Sequence, residues 1–151
     1  ALLLNIGPRP DGTIPEPEQD LLKEIDRWLA LNGEGIYATR PWKVYGEGPT
    51  AVVGGSFSDT KRAAFTAEDI RYTAKGPALY ATLLGWPEGG EVTLKSLGTD
   101  LRLYTAEVGK VEMLGQREPL EFAVRGDGLH VALPAERPGE HAWVLKITAK
   151  G

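Results

Sequence analysis

Cysteine is absent from this 151-residue sequence, and histidine occurs only twice. Without cysteine the chain has no disulfide framework and no thiolate ligands for a metal ion. The two histidines, His130 and His141, have no cluster of carboxylates beside them in the sequence, which falls short of a metal-ligand pattern. We therefore expect no metal and no cofactor, and we assign both histidines a structural or surface role.

Clusters of basic residues and long apolar runs are also missing. The formal net charge is −4, and lysine and arginine are scattered singly, which predicts neither a nucleic-acid nor a membrane partner. The opening run Ala1–Leu4 is too short for a signal peptide or a membrane span, and no basic segment or methionine precedes it. We expect the chain to begin inside a larger fold, as a truncated fragment of it.

Glycine and proline are plentiful, with 19 and 11 copies, and short apolar runs lie between them. This pattern is typical of many short strands joined by turns, so it predicts a mainly β fold, an antiparallel β-sandwich. The turns at 87–90 and 126–128 are predicted to be hairpins, and 46–68 a long loop. The predicted strands are 36–39, 70–74, 78–85, 91–94, 101–104, 111–114, 120–124, 129–133 and 142–148.

The first 35 residues follow a different pattern. Leu2–Ile6 is apolar on both faces, as in a strand buried in a parallel sheet. Prolines and acidic residues then mark a helix start, and a helix is predicted over 17–32, with Gly33 as a left-handed stop. Its apolar stripe comprises Leu21, Leu22, Ile25, Trp28 and Leu29. A single β/α unit cannot form a closed barrel or a covered sheet. We therefore interpret residues 1–35 as a fragment of a larger fold and residues 36–151 as the sandwich.

The carboxylates and glycine-rich turns of the sequence do not form a catalytic or phosphate-binding pattern. Glu68 and Asp69 are adjacent, and neighbouring strand residues point to opposite faces. The two carboxylates therefore cannot lie on either side of the same substrate bond. We interpret them as solvated charges or a strand cap. Gly33–Gly35 and Gly46–Gly48 do not open a helix after a strand, so we interpret them as turns and not phosphate loops.

The four tryptophans are the remaining candidates for binding, because an exposed aromatic ring can stack on a sugar. Trp28 on the helix stripe and Trp143 on an alternating strand are predicted to be core residues. Trp42 is expected to seal the joint between the two parts. Trp86, beside Pro87 in a predicted hairpin tip, is the one candidate carbohydrate contact.

Several motifs in fixed order resemble glycoside hydrolase family 29 α-L-fucosidases, most closely bacterial members. The first group is Leu2–Pro8 with Asp11–Gly12, Trp28–Leu29, Asn32–Glu34, Ile36–Ala38 and Pro41–Trp42. The second group, which resembles the C-terminal domain of these enzymes, is Phe65–Arg71, Leu84–Pro87 and Ala142–Ile147. The resemblance covers nearly the whole chain.

This resemblance implies a (β/α)8-like catalytic barrel followed by a β-sandwich. Leu2–Ile6 would be the last barrel strand, and 17–32 a helix associated with the barrel. The family's nucleophile and acid/base carboxylates lie upstream of this region, so no catalytic residue is carried over. Retaining hydrolysis needs two carboxyl groups roughly 5–5.5 Å apart, and we expect this chain alone to be inactive.

The resemblance thus predicts a non-catalytic, stabilising C-terminal part of an α-L-fucosidase, a retaining glycosidase that releases L-fucose from fucosylated glycans. Its expected partner is the catalytic barrel or another copy of the chain. The alternative is an autonomous carbohydrate-binding β-sandwich module, for which a fucosylated glycan would be the ligand and Trp86 the contact.

Overall fold

The computed structural model of the chain describes residues 4–52 and 63–151. Helix α1 (Glu16–Asn32) comes first and continues into a short 3-10 helix, Gly33–Gly35. The strands in the described ranges are β1 (Arg40–Glu47), β2 (Ile70–Lys75), β3 (Ala78–Leu83), β4 (Glu91–Leu94), β5 (Val108–Met113), β6 (Phe122–Val124), β7 (Leu129–Ala132) and β8 (Trp143–Ala149).

These strands form two antiparallel sheets. The larger has the order β1-β2-β3-β8-β5, and the smaller has the order β4-β7-β6. The last strand, β8, lies between β3 and β5, and it pairs with both in antiparallel register. The mainly β fold predicted from the sequence is confirmed, and the two sheets are consistent with the predicted sandwich.

The main core lies between the two sheets because residues alternate along each strand. On β8, Leu145 and Ile147 are fully buried, and on β7 Leu129 and Val131 face them from the smaller sheet. The other side of the larger sheet holds a second, smaller cluster formed by Ala78, Tyr80 and Val144, against which Trp28 and Leu114 pack.

Helix α1 is attached to that outer side. The Trp28 indole Nε1 donates a hydrogen bond to the Ala142 carbonyl at 2.9 Å, and Thr73 donates to the Gly35 carbonyl at 2.7 Å. A Cβ on Gly35 would lie 2.9 Å from a methyl of Val144. Glycine at this position therefore lets the 3-10 helix approach the sheet closely.

The helix predicted over 17–32 is confirmed, but its predicted stop is wrong. Gly33 is right-handed, with φ −59°, and the left-handed residue is Ala38, with φ 59°. A Cβ on Gly33 would meet the Tyr37 ring at 2.7 Å. Gly33 thus lies close to the Tyr37 side chain and does not supply a positive φ.

Four predicted features of the sheets are also wrong. The long loop predicted over 46–68 does not begin at Gly46, because Gly46 and Glu47 belong to β1, and its residues 53–62 lie outside the described residues. Residues 36–39 and 101–104 form no strand, and β1 begins instead at Arg40. The turn at 87–90 is not a hairpin, because β3 and β4 belong to different sheets. That turn carries the chain from one sheet to the other, whereas the predicted hairpin at 126–128 does join β6 to β7.

The predicted N-terminal strand is only partly within the described residues. Leu2 and Leu3 lie outside them, and residues 4–6 form no strand. Leu4 and Ile6 are both exposed, so the described part of this segment has no sheet around it.

We predict that Gly35→Ala destabilises the fold by about 1–3 kcal/mol, because the added methyl must displace the 3-10 helix or Val144. Urea unfolding measures the change. Gly89→Ala is the matched control, since nothing lies within 4 Å of its Cβ position, and it should shift stability by less than about 0.5 kcal/mol. Equal effects of the two substitutions would contradict the close-packing argument.

Candidate functional site

The apolar stripe of α1 lacks a complete partner in the structure. Asn32 is the one buried residue of this 17-residue helix, although an amphipathic helix normally buries its apolar face. Leu21 remains 50% exposed. The helix stripe, defined as Leu21, Leu22, Ile25, Trp28 and Leu29, is otherwise only partly covered.

Two open cavities flank Trp28 where the helix meets the loop before β8. One, of about 270 Å³, is lined by Leu21, Ile25 and Trp28 together with His141. The other, of about 220 Å³, lies between Trp28 and Leu31 and the loop at 139–141. The helix therefore rests on the sandwich through Trp28 and is poorly packed on either side of it.

Two hydrogen bonds from or to helix side chains hold the segment before the helix, and one of them lies close to the exposed Leu4 and Ile6. The Gly7 amide donates to the Glu18 carboxylate at 2.9 Å. Asp11 accepts hydrogen bonds from the Thr13 amide and hydroxyl, which lower the pKa of its carboxyl group. The described part of this segment thus folds back towards the start of the helix and leaves its leucine and isoleucine exposed.

Trp86 is not at a hairpin tip, as the sequence predicted, but at the crossing between the sheets. Its ring packs against Trp143, with centroids 5.0 Å apart in an edge-on arrangement. The Arg137 guanidinium lies 5.5 Å from the Trp86 ring centre. Trp86 is half-buried, so it presents less ring surface to a ligand than the predicted tip position would.

The other tryptophans follow the predictions in part. Trp143 is buried in the main core, as predicted. Trp28 is only half-buried and belongs to the outer cluster. Trp42 packs on Tyr72, with ring centres 5.2 Å apart, and therefore contacts the main core of the sandwich.

Glu68 and Asp69 occupy opposite environments, as adjacent residues at a strand start should. Glu68 is exposed and pairs with Lys95 at 3.3 Å. Asp69 is fully buried and accepts hydrogen bonds of 2.7–3.0 Å from the amides and hydroxyls of Thr50 and Thr66. Burial acts to raise its pKa, but these four hydrogen bonds outweigh burial and lower the pKa to about 2.

Asp69 therefore has a structural role, as a fixed charge that ties Thr50 to Thr66. A sequence signal for this role exists, because Thr66 and Asp69 have the threonine-x-x-acid spacing of a capping motif. The carboxylate is already satisfied by its donors, which makes it unsuited to proton transfer near neutral pH.

Glu34 and Glu47, each flanked by two glycines, also have structural roles. Glu47, at the end of β1, accepts hydrogen bonds from the amides of Lys95 and Ser96, both at 2.7 Å, and so links the larger sheet to the 3-10 helix Lys95–Leu97. Glu34 accepts from Tyr80 at 2.8 Å and from Lys146 at 2.6 Å. These partners lower the pKa of Glu34.

His130 lies on the outer side of the smaller sheet. Its ring nitrogens are 3.1 Å from Asp127 and 3.2 Å from Glu91, and the Thr93 hydroxyl is 3.2 Å from Nδ1. The carboxylates of Asp127 and Glu91 raise the pKa of the imidazole, while burial and, more weakly, the nearby Arg125 oppose them. His141 is mostly exposed, 3.7 Å from Glu24.

Within residues 4–52 and 63–151 the structure has no group of three or more histidine, cysteine, aspartate or glutamate side chains placed to hold a metal ion. None of the helices there has the length and hydrophobicity that a membrane crossing requires.

Comparison with known proteins gives consistent matches along the chain. Residues 63–148 match the family described as "Alpha-L-fucosidase C-terminal domain", and residues 1–34 match the family described as "Alpha-L-fucosidase". Human tissue alpha-L-fucosidase is 37% identical over 97% of this chain, and the alpha-L-fucosidase of Branchiostoma floridae is 34% identical. This chain spans 28% of the length of each of these relatives.

Solved structures agree with the sequence matches. Thermotoga maritima alpha-fucosidase in complex with a mechanism-based inhibitor superposes with a TM-score of 0.71 at 26% identity, over 97% of this chain and 30% of its own. Alpha-L-fucosidase isoenzyme 1 from Paenibacillus thiaminolyticus gives a TM-score of 0.64 at 26% identity, over 99% of this chain and 30% of its own.

We predict that Asp69→Asn lowers the free energy of unfolding by roughly 2–3 kcal/mol at pH 6, because the buried charge is lost and the amide nitrogen cannot accept the hydrogen bonds made to one of its oxygens. The pKa of Asp69 is depressed in the folded state, so its contribution is present above the ordinary value of 3.8 and is lost as pH falls towards 2. Urea unfolding between pH 6 and 2.5 tests both points. Glu68→Gln is the control, and a similar loss there would contradict the assignment.

The contribution of His130 to stability changes with pH in the opposite direction to that of Asp69. Its pKa is raised in the folded state, so the stabilisation is full below about pH 6.5 and is lost as pH rises through the folded-state pKa. We expect His130→Gln to reduce the change in the urea unfolding midpoint between pH 5.5 and 8.5. His141→Gln should leave that change as it is in the unmodified chain. Parallel profiles for the unmodified chain and His130→Gln would refute the prediction.

Proposed function

The chain belongs to the alpha-L-fucosidase C-terminal domain family, and from that premise we propose that it is the non-catalytic, stabilising part of an α-L-fucosidase. In this proposal residues 1–35 complete the catalytic region, and residues 36–151 form the sandwich that supports it. The separate family matches at 1–34 and 63–148 support this division. The parent enzyme would be a retaining glycosidase that releases L-fucose from fucosylated glycans.

The observation that carries the proposal is the incomplete burial of the helix stripe. A 17-residue helix with five large apolar side chains on one stripe buries none of the five fully. Full burial of a side chain such as leucine is worth about 1.5–3 kcal/mol relative to full exposure. A half-exposed Leu21 therefore leaves part of that free energy to be gained from a partner.

The partner that this surface fits is the catalytic region of the same enzyme. The helix lies within the segment that matches the alpha-L-fucosidase family, and the Trp28 indole attaches it to the sandwich. One side of the helix is thus held by the sandwich, while Leu21 and the cavities beside Trp28 stay open. A helix in this position suits a joint between two domains.

The environment of the most suggestive carboxylates supports a non-catalytic role. Asp69 accepts four hydrogen bonds, and Glu47 accepts two from backbone amides. Retention requires one ionised and one protonated carboxyl group facing each other across the glycosidic bond. Asp69 is buried and Glu68 exposed, which does not suit that pairing.

We expect the purified chain to show no hydrolysis of an aryl α-L-fucoside. When the catalytic region that this proposal assigns to the parent enzyme is expressed separately, adding the chain should raise its melting temperature and its activity. Leu21→Glu should weaken that stabilisation, because a charge would be placed against an apolar partner. Thermal denaturation and fucoside hydrolysis measure the two effects.

Leu101→Glu is the matched control, since Leu101 is similarly exposed, at 56%, and lies outside the helix. It should leave the stabilisation intact. Fucoside turnover by the chain alone would overturn the non-catalytic assignment, and equal effects of the two glutamate substitutions would overturn the role of the helix stripe.

A further inference from the structure

An exposed aromatic ring stands on the edge strand of the larger sheet. Tyr45 on β1 is 71% exposed, and its neighbours Trp42 and Val44 pack on the core instead. β1 is an edge strand because it pairs with β2 alone. One side of the ring is therefore open to a ligand.

The other side of this ring is occupied by a fixed guanidinium group. The Arg71 guanidinium lies 5.6 Å from the Tyr45 ring centre and 5.2 Å from that of Phe65. Its Nη1 donates to the carbonyls of Glu47 at 3.2 Å and Ile70 at 2.9 Å. Both of these bonds use Nη1, and within residues 4–52 and 63–151 no acceptor is hydrogen-bonded to Nε or Nη2, so these groups can donate to a ligand.

Gly46 allows this arrangement. A Cβ at position 46 would lie 2.9 Å from Arg71 Cδ and closer still to the Ile70 carbonyl. The arginine side chain therefore crosses the strand where no side chain obstructs it, and the two backbone carbonyls hold it there. An arginine held in this way loses little side-chain entropy on binding a ligand, which favours affinity.

We propose that Tyr45 and Arg71 form a saccharide subsite. A flat, exposed aromatic ring suits the apolar C–H face of a pyranose, and planar N–H donors suit its hydroxyl oxygens. The ligand class is a neutral oligosaccharide, with one sugar stacked on Tyr45 and a hydroxyl accepting from Arg71. The choice of a fucosylated oligosaccharide as the ligand rests on the proposed function.

This pair fits a sugar better than Trp86 does. Trp86 is half-buried and packed between Trp143 and Arg137, whereas Tyr45 is exposed and has an arginine on one side only. The tyrosine side chain also adds a hydroxyl group that can donate or accept a hydrogen bond.

The test is calorimetric and NMR titration of the 151-residue chain with a fucosylated oligosaccharide and with the same oligosaccharide after removal of fucose. We expect saturable binding, with the largest amide shifts near Tyr45 and Arg71. Tyr45→Ala should weaken binding at least about tenfold, equivalent to about 1.4 kcal/mol. Tyr45→Phe keeps the ring and should retain most of the affinity.

Tyr37→Ala is the matched control, because Tyr37 is an exposed tyrosine, at 57%, that does not stack on Arg71. It should bind as the unmodified chain does. Absence of binding at millimolar oligosaccharide, or a loss caused by Trp86→Ala and not by Tyr45→Ala, would overturn the subsite.

A third result would also overturn it: Tyr45→Ala weakens association with the separately expressed catalytic region and leaves saccharide binding unchanged. That result would make Tyr45 part of a protein interface. Because the role of the helix is tested by Leu21→Glu in a different assay, failure of the subsite is distinguishable from failure of the proposed function.

Discussion

The position of β8 at the centre of the larger sheet determines most of this structure. Its inward side chains, Leu145 and Ile147, fill the core between the sheets, and its outward Val144 supports the outer cluster. Just before the strand, the Ala142 carbonyl holds Trp28 of the helix. A single strand therefore links the sandwich core to the segment that precedes it, although the two are more than a hundred residues apart in sequence.

Local sequence patterns predicted α1 well because all its determinants are local. The 3.6-residue spacing of apolar side chains and the prolines at its start specify a helix without reference to the rest of the chain. The turn at 87–90 is a contrary case. Its residues do favour a turn, but whether a turn joins paired strands or crosses between sheets depends on partners elsewhere, here β7 for β4 and β8 for β3.

The candidate surfaces show the same division between local and distant determinants. The helix stripe could be predicted from spacing alone, and the structure adds only that it remains partly uncovered. The exposure of Tyr45 could not be predicted in this way. It depends on β1 running from Arg40 to Glu47 and on the irregular register of that strand against β2 between Pro41 and Gly46. Asp69 had a local signal in the spacing from Thr66, but its burial depends also on Thr50, which lies far upstream.

The helix stripe and the Tyr45–Arg71 pair can be related through the larger sheet. Along β2, Ile70 and Tyr72 point into the core, so Arg71 between them points to the outer side. Val144 and Tyr80 point to that side as well, and Trp28 of the helix packs on them. A catalytic region seated on the helix would thus lie on the same side of the sheet as the proposed subsite. In that arrangement the proposed subsite would hold a part of the glycan remote from the reacting end, and binding energy from such remote contacts serves the reacting end of a substrate.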